Sequence, residues 1–179
     1  MRTRSGRQAS QQPFELARFI QIIDGACSYL EVGARHGDTF FEVMKSLPYG
    51  AKGVAIDLPN GPWGGDSKHS LLEAADHLRE MHYDIEVIFG DSREIELPLH
   101  FDAVLIDGDH RYEAVKSDFE KFHGDIVALH DIAGHGLTLR DMEIGVPRFW
   151  DEIKHNYMHE EIIIPSDDRP MGIGVIWNE

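Results

Sequence analysis

The residues of this sequence that could do chemistry follow five apolar segments, one polar group at the end of each. In chain order these groups are Glu31 to Gly37, Asp57, Asp91-Ser92, Asp107-Gly108-Asp109-His110 and His130-Asp131. Carboxylates and imidazoles are the side chains that bind divalent cations and transfer protons near neutral pH. A metal hydrolase built on the last two groups is one interpretation, but it would leave Glu31 and Asp57 without a role.

Residues 29–57 predict the structural unit around which the other elements are arranged. Tyr29 to Val32 is apolar and predicts a strand, and Gly33 to Gly37 predicts a turn. Asp38-Thr39 stands at a helix N-cap position and is followed by apolar residues at helical spacing. Lys52 to Asp57 predicts a second buried strand that ends in a carboxylate. Such a unit leaves backbone N–H groups free at the turn and an acid at the next strand end, which outlines a nucleoside-binding pocket.

The spacing of the glycines distinguishes between kinds of nucleoside pocket. A dinucleotide fingerprint would be G-x-G-x-x-G, with a pyrophosphate at the helix N-terminus. This sequence instead has Glu31-x-Gly33-x-x-x-Gly37. An acid before the first glycine would repel a pyrophosphate, but it suits the cationic head group of an amino acid. The pattern resembles the first motif of the class I S-adenosylmethionine-dependent methyltransferases, although a plain strand-to-helix turn would account for the glycines alone.

The alternation of predicted strands and helices indicates an α/β fold. Five strands alternate with helices, which predicts a Rossmann-like parallel sheet with helices on both faces. The last two strands, 161–164 and 172–177, are joined by a link too short for a crossover helix. They should form a C-terminal antiparallel hairpin, which makes the sheet seven-stranded. Gly124 is expected to end the preceding helix, and residues 134–145 are expected to form a loop.

Length and composition set the remaining expectations. With 179 residues, the chain is expected to form a single domain over residues 13–179, preceded by a flexible arm over residues 1–12. A formal net charge of −15 argues against a nucleic-acid partner. We expect no membrane partner and a cytoplasmic location, because no segment suits a membrane span or a signal peptide. The single cysteine, Cys27, cannot form an internal disulfide. A homo-oligomer is left open.

A longer match concerns the fourth and fifth polar groups. The segments VLIDGDHRYEAVKSDFEKF and GDIVALHD resemble metal-assisted small-molecule O-methyltransferases, in particular antibiotic-sugar methyltransferases and cephalosporin-hydroxylase-like proteins. The resemblance runs from about Tyr29 to Trp177. It implies S-adenosylmethionine as the cofactor, with an activated methyl group on sulfonium, and a divalent metal, Mg²⁺ or Mn²⁺, to acidify the acceptor hydroxyl.

The resemblance also implies roles for single residues near the fourth and fifth strands. Asp107 and Asp131 match metal carboxylates, and His130 stands where relatives often have an acid. An imidazole there would favour softer metals than Mg²⁺, or it would not be a ligand at all. His110 matches the general base of sugar-modifying relatives, although it could instead cap the following helix. Asp109 is considered as a group that orients His110 or supports the metal from behind.

The expected cofactor contacts lie at the ends of the first four strands. Asp57 is placed to accept both ribose hydroxyls, unless it is a surface carboxylate. Asp91 could accept from the adenine amino group, with the Ser92 N–H on a ring nitrogen; a helix N-cap is the alternative for Asp91. The full expected set is Glu31, Gly33, Ala34, Arg35, Gly37, Asp57, Leu58, Asp91, Ser92 and Asp107. Trp63 could cover the adenosine or the core edge, and His135 could shape the acceptor pocket.

The sequence therefore predicts an S-adenosylmethionine-dependent O-methyltransferase acting on a small hydroxylated molecule, a sugar or a phenol. Asp107 and His110 are the expected catalytic residues, and Asp107, His130 and Asp131 the expected metal ligands. The alternative is a non-catalytic S-adenosylmethionine-binding accessory protein whose acceptor site is absent or supplied by a partner.

Overall fold

The structure, a computed structural model, describes residues 11–62, 65–97, 100–139, 141–164 and 171–178. Its helices are α1 (Pro13–Ile22), α2 (Asp38–Ser46), α3 (Lys68–Glu80), α4 (Tyr112–Lys121) and α5 (Val146–Ile153), the last followed by a 3-10 turn at Lys154–Asn156. Its strands are β1 (Ser28–Val32), β2 (Lys52–Asp57), β3 (Asp84–Phe89), β4 (His100–Ile106), β5 (His123–His130), β6 (Thr138–Leu139), β7 (Met142–Glu143), β8 (Met158–Ile162) and β9 (Ile173–Trp177).

The main sheet has seven strands in the order β3-β2-β1-β4-β5-β9-β8. The first five strands of this order run parallel, and β9 pairs antiparallel with both β5 and β8. Apolar side chains of α1, α2 and α3 pack on one face, and those of α4 and α5 pack on the other. The predicted fold class, including the C-terminal antiparallel hairpin, is confirmed.

The register of the parallel strands brings their polar ends to one edge of the sheet. Val32 of β1 lies opposite Ile56 of β2 and Ile106 of β4. The residues that follow these three strands therefore lie side by side. Ile106 in turn lies opposite Leu129 of β5, so Asp107 comes next to His130. The strand pairing alone thus gathers the candidate site residues.

Gly33 begins the turn after β1, and its position leaves no room for a side chain. Its φ is +89°, and a Cβ added there would overlap the backbone carbonyl of Asp107. We expect Gly33→Ala to lower the free energy of unfolding by about 3 kcal/mol, because left-handed strain and steric overlap add. Gly50→Ala is the matched control, since Gly50 has a φ of +80° but open space around it. Urea denaturation of both variants measures the difference, and equal losses would contradict the argument.

Two local expectations from the sequence are wrong. Gly124 does not end a helix, because α4 ends at Lys121 and Gly124 lies inside β5. A Cβ on Gly124 would lie 2.8 Å from Val104 Cγ2, so close packing between strands accounts for this glycine. The predicted loop 134–145 contains a small hairpin, in which β6 and β7 pair antiparallel.

The N-terminal segment joins the fold earlier than expected. Residues 1–10 of the predicted arm lie outside the described residues, but Gln11 is buried, with 2% of its surface exposed. Its amide nitrogen donates to Asp107 Oδ2 at 2.6 Å, and its amide oxygen accepts from the Thr39 hydroxyl. Gln11 therefore belongs to the folded domain, and the flexible-arm prediction is wrong for this residue. In the described part of the chain, no helix has the length and apolar character needed to cross a membrane.

Candidate active site

A cavity of about 340 Å³ lies at the carboxyl ends of the parallel strands. Its wall includes residues from the turns after β1, β2, β3, β4 and β5. Asp57 and Asp107 open into this one cleft. Every expected site residue except Gly37 lines the cavity: Glu31, Gly33, Ala34, Arg35, Asp57, Leu58, Asp91, Ser92, Asp107, His110, His130 and Asp131. Gly37 instead forms the left-handed N-cap of α2, with φ +80°.

Asp57 is buried at the end of β2 and is held by two hydrogen bonds. Its Oδ1 accepts from the Arg35 backbone N–H at 2.9 Å, and its Oδ2 accepts from the Ser67 hydroxyl at 2.5 Å. Burial raises the pKa of Asp57, and these hydrogen bonds offset part of the rise. Only 7% of its surface is exposed, so the surface-carboxylate alternative is wrong. Each oxygen keeps a second lone pair that a ligand hydroxyl could use.

Glu31 forms the inner wall of the cavity beside Asp107. Its Oε2 accepts from the Tyr29 hydroxyl at 2.6 Å, and the backbone N–H of Phe40 also donates to the carboxyl group. Burial raises the pKa of Glu31, the Tyr29 hydroxyl lowers it, and the nearby Asp107 raises it further, to about 8. Burial therefore favours the neutral form of this carboxyl group, and a cationic ligand beside it would favour the ionised form.

Asp91 closes the turn after β3. Its Oδ1 accepts from the Arg93 backbone N–H at 3.0 Å, and the Arg93 guanidinium forms a two-pronged ion pair with both carboxylate oxygens. The hydrogen bonds from Arg93 lower the pKa of Asp91 to about 2. The carboxylate caps this local turn rather than a helix. Asp109, after β4, forms the same pattern with Arg111, and it was not predicted to do so.

Four side chains form a hydrogen-bonded cluster after β4 and β5. The His130 Nδ1 lies 2.9 Å from Asp107 Oδ1 and 3.1 Å from Asp131 Oδ1. The His110 Nδ1 lies 2.7 Å from Asp131 Oδ2. Asp131 thus orients His110, the role that the sequence had suggested for Asp109. Asp131 has a φ of +69°, a backbone strain that turns its carboxylate back toward both imidazoles.

The charges in this cluster are strongly coupled. Burial lowers the pKa of His130, but the carboxylates of Asp107 and Asp131 outweigh burial and raise it to about 9. Burial likewise lowers the pKa of His110, and the hydrogen bond to Asp131 reverses the change, so that this pKa is raised. For Asp131 burial raises the pKa, and the two imidazoles more than compensate and lower it. In this cluster two imidazoles with raised pKa values therefore lie against two carboxylates, which favour the protonated form of the imidazoles.

The donor set also fits a divalent cation. Asp107, His130 and Asp131 each offer one donor atom, and these atoms lie within 4.8 Å of one another. Among the described residues, Asp131 Oδ1 is buried and accepts no hydrogen bond, although the His130 ion pair lies beside it. Two carboxylate oxygens and one imidazole suit Mn²⁺ or Fe²⁺ better than Mg²⁺. A cation bound there would compete with a proton for the His130 Nδ1, which lies near both carboxylates.

Sequence reasoning missed several residues around the cavity. Arg93, Arg111 and Met171 line it, and Gln11 and Ser67 hold its acids from behind. The D-x-R spacing of residues 91–93 and 109–111 was a local signal that could have indicated the two arginines. His135 does not line the cavity: it is exposed and lies 3.4 Å from Asp151, so its predicted role is wrong. Trp63 lies outside the described residues.

Comparison with known proteins supports the fold. No protein-family model matches the chain, and no curated protein matches it. The solved O-methyltransferase TomG of Streptomyces achromogenes, involved in tomaymycin synthesis and in complex with S-adenosylmethionine, is similar with TM-score 0.68 and 16% identity, over 96% of this chain and 82% of that chain. An O-methyltransferase of Bacillus cereus in complex with S-adenosylhomocysteine has TM-score 0.68 and 16% identity, over 96% and 83%.

A further solved structure with a similar fold is a methyltransferase of another kind. A precorrin-6y C5,15-methyltransferase of Geobacter metallireducens has TM-score 0.62 and 13% identity, over 97% of this chain and 95% of that chain. At these identities the likeness shows that the chain has the class I methyltransferase fold. Because one fold hosts many reactions, the reaction must be argued from the site itself.

Proposed function

We propose that the protein is an S-adenosylmethionine-dependent O-methyltransferase acting on a small hydroxylated molecule, such as a sugar or a phenol, with a divalent metal. The observation that carries the proposal is the single cleft that joins Glu31 and Asp57 to the Asp107–His130–Asp131–His110 cluster. Binding groups for a nucleoside and groups for proton removal thus share one cavity. The neighbours with cofactor in their structures have the same fold, which favours this assignment.

The nucleoside end of the cavity suits S-adenosylmethionine. Asp57 is fixed at the end of β2, where it can accept ribose hydroxyls, and Asp91 and Ser92 line the wall beside it. Glu31, on the neighbouring strand β1 and beside Asp107, can provide the carboxylate that a cationic amino-acid head group requires. When bound, the cofactor supplies the methyl group as an electrophile, so the protein must only align the acceptor and take its proton.

The acid–histidine cluster suits the removal of that proton. His110 is held by Asp131 and lines the cavity, so its imidazole is available to take a proton from an acceptor bound there. Asp107, His130 and Asp131 would hold the metal, whose chemistry is to lower the pKa of the acceptor hydroxyl. Because the pKa of His110 is raised, its neutral form is scarce at low pH, and proton removal should become faster as the pH rises.

Thermal shift measurements test the cofactor assignment first. We expect S-adenosylmethionine and S-adenosylhomocysteine at millimolar concentration each to raise the melting temperature, since a ligand that binds only the folded state stabilises it. ATP at the same concentration is the control for any adenosine compound. No shift with either sulfur ligand would refute the proposal.

Turnover separates the proposal from its rival, the non-catalytic cofactor-binding protein. Hydroxylated sugars and phenols are incubated with S-adenosylmethionine carrying a labelled methyl group, with Mn²⁺, Mg²⁺ or a chelator. We expect labelled product that depends on the cation. Tight cofactor binding with no transfer to any acceptor, even after the wild-type protein is saturated with Mn²⁺, would favour the accessory role.

A further inference from the structure

Lys121, the last residue of α4, reaches from the end of its helix to the turn after β3. Its ammonium nitrogen lies 3.1 Å from the Ser92 carbonyl oxygen, 2.6 Å from that of Arg93 and 3.3 Å from that of Ile95. A lysine ammonium has three N–H donors, and here each has one backbone carbonyl. The side chain is mostly buried, and the carboxylate of the exposed Glu96 is 3.8 Å away. The carboxylates of Asp91 and Asp118 are also close enough for the Lys121 charge to lower their pKa values.

Lys121 contacts the turn 91–95, which follows β3 and forms part of the cavity wall. Asp91, Ser92 and Arg93 all line the cavity. The Arg93 N–H donates to Asp91 Oδ1 at 3.0 Å, and the Glu94 N–H donates to the Asp91 carbonyl at 2.9 Å. In a trans peptide the C=O and the following N–H point in opposite directions. Lys121 on the carbonyl side and Asp91 on the N–H side therefore fix the same peptide planes.

A second residue of α4 lies near the same turn. Asp118 lies one helical turn before Lys121 and is 1% exposed. Burial raises the pKa of Asp118 to about 6 and the nearby Ser92 side chain lowers it in part, although among the described residues neither carboxylate oxygen has a hydrogen-bond partner. The amino-terminal end of α4 directly follows His110. The helix α4 thus links His110 of the acid–histidine cluster, at its amino-terminal end, to the cavity wall after β3, at its carboxyl-terminal end.

We propose that Lys121 is a positioning residue for recognition of the adenine base, which it serves by fixing the turn 91–95. The inference rests on the proposed function, because it assigns the wall after β3 to the adenine ring. Asp91 then presents its carboxylate, and Ser92 its backbone N–H, at fixed positions to the base edge. The base contacts would be lost without Lys121, although Lys121 itself touches no ligand.

Two ligands and three variants test the proposal. S-adenosylhomocysteine has the adenine 6-amino group, and S-inosylhomocysteine has a carbonyl oxygen in its place. For Lys121→Met we expect about a tenfold weaker affinity for the first ligand, the size of one lost hydrogen bond to a charged group. The affinity for the second ligand should change less than about twofold, so that the preference for adenine collapses.

The matched control is Lys116→Met, which removes the same charge from the same helix. Lys116 is half-exposed and is 4.0 Å from Glu120. We expect it to leave both affinities unchanged. Lys121→Arg keeps the charge, but the donors of a planar guanidinium spread outward and fit three carbonyls that converge on one nitrogen position poorly, so this variant should lose the adenine preference too. This variant decides the question if Lys121→Met does not fold.

Amide hydrogen exchange provides a readout that needs no ligand. The Arg93 and Glu94 amides should exchange at least about tenfold faster in both Lys121 variants, as the turn opens more often. The proposal is overturned if both variants keep the wild-type preference for adenine, if they weaken both ligands equally, or if the two amides exchange at the wild-type rate. A wild-type protein that binds neither ligand instead refutes the proposed function, and the adenine role of Lys121 with it.

Discussion

Replacing Asp107 by asparagine is expected to lower the rate of methyl transfer by about 10³-fold, the scale seen when one group that stabilises reacting charge is removed. The affinity for S-adenosylhomocysteine should change less than about threefold, because asparagine keeps the shape and the carbonyl oxygen at this position. Asp107 lies between Gln11 and His130 and supplies one of the candidate cation's donor atoms. Rapid-quench kinetics and calorimetry give the two numbers.

The same variant has a consequence that does not depend on turnover. Although burial lowers the pKa of His130, Asp107 is a main cause of its rise to about 9. In Asp107→Asn this pKa should fall, and an NMR titration of the imidazole measures it. Asp125→Asn removes the same charge from the exposed end of β5 and should change neither rate nor pKa. A full rate in Asp107→Asn, or a rate that falls only because the cofactor no longer binds, would contradict the catalytic role.

The placement of the site could be predicted from the sequence because it depends on strand register. Each apolar segment ends in a polar group, and parallel strands bring equivalent ends to one edge. The pairing of Val32 with Ile56 and Ile106 follows directly from this rule. The rule needs only the two-residue and 3.6-residue periodicities, which are local properties of the sequence. For that reason Asp57, Asp107 and His130 could be assigned to one cleft.

The groups that hold these residues could not be predicted in the same way. Gln11 reaches Asp107 across 96 positions of the chain, and Lys121 reaches the Ser92 carbonyl across 29. No periodic pattern in the sequence indicates either contact, because each depends on where a helix end or the N-terminal segment lies in the folded chain. Gly124 was misinterpreted for a related reason. The sequence alone does not distinguish a glycine required by close packing between strands from a glycine that ends a helix.

The choice of acid partner for His110 shows the same limit within one short segment. Asp109 precedes His110 directly, and sequence proximity favoured it as the orienting group. In the structure the Arg111 guanidinium pairs with Asp109, while Asp131 from the end of β5 lies 2.7 Å from the His110 imidazole. Neighbours in sequence at a strand end point in different directions. The partner of a catalytic side chain therefore comes more readily from the adjacent strand than from the adjacent residue.

Glu31 should make cofactor binding and protein stability respond to pH in opposite directions. Burial, against the Tyr29 hydrogen bond, raises the pKa of Glu31 from 4.5 to about 8. A folded-state pKa above the unfolded value means that its stabilising contribution is complete below pH 4.5 and is lost as the pH rises through 8. A cationic ligand needs the ionised form, so the affinity for S-adenosylmethionine should rise over the same range, by up to about tenfold per pH unit.

Glu31→Gln separates this carboxyl group from every other group that titrates in the cleft. The glutamine amide has nearly the size of the carboxyl group and stays neutral at every pH. The pH dependence of stability and that of S-adenosylmethionine affinity should therefore both flatten by the contribution of Glu31. At pH 7.5 the affinity should fall by about tenfold, because the charge pair with the ligand is lost. The α-amino group of the ligand itself titrates near pH 7.7–8.0, so calorimetry is confined to pH of about 6 to 7.5. Any remaining effect of ligand titration on the affinity is the same for both proteins. Identical slopes in the two proteins would show that Glu31 is already ionised in the empty site, and that burial behind Tyr29 does not set its charge.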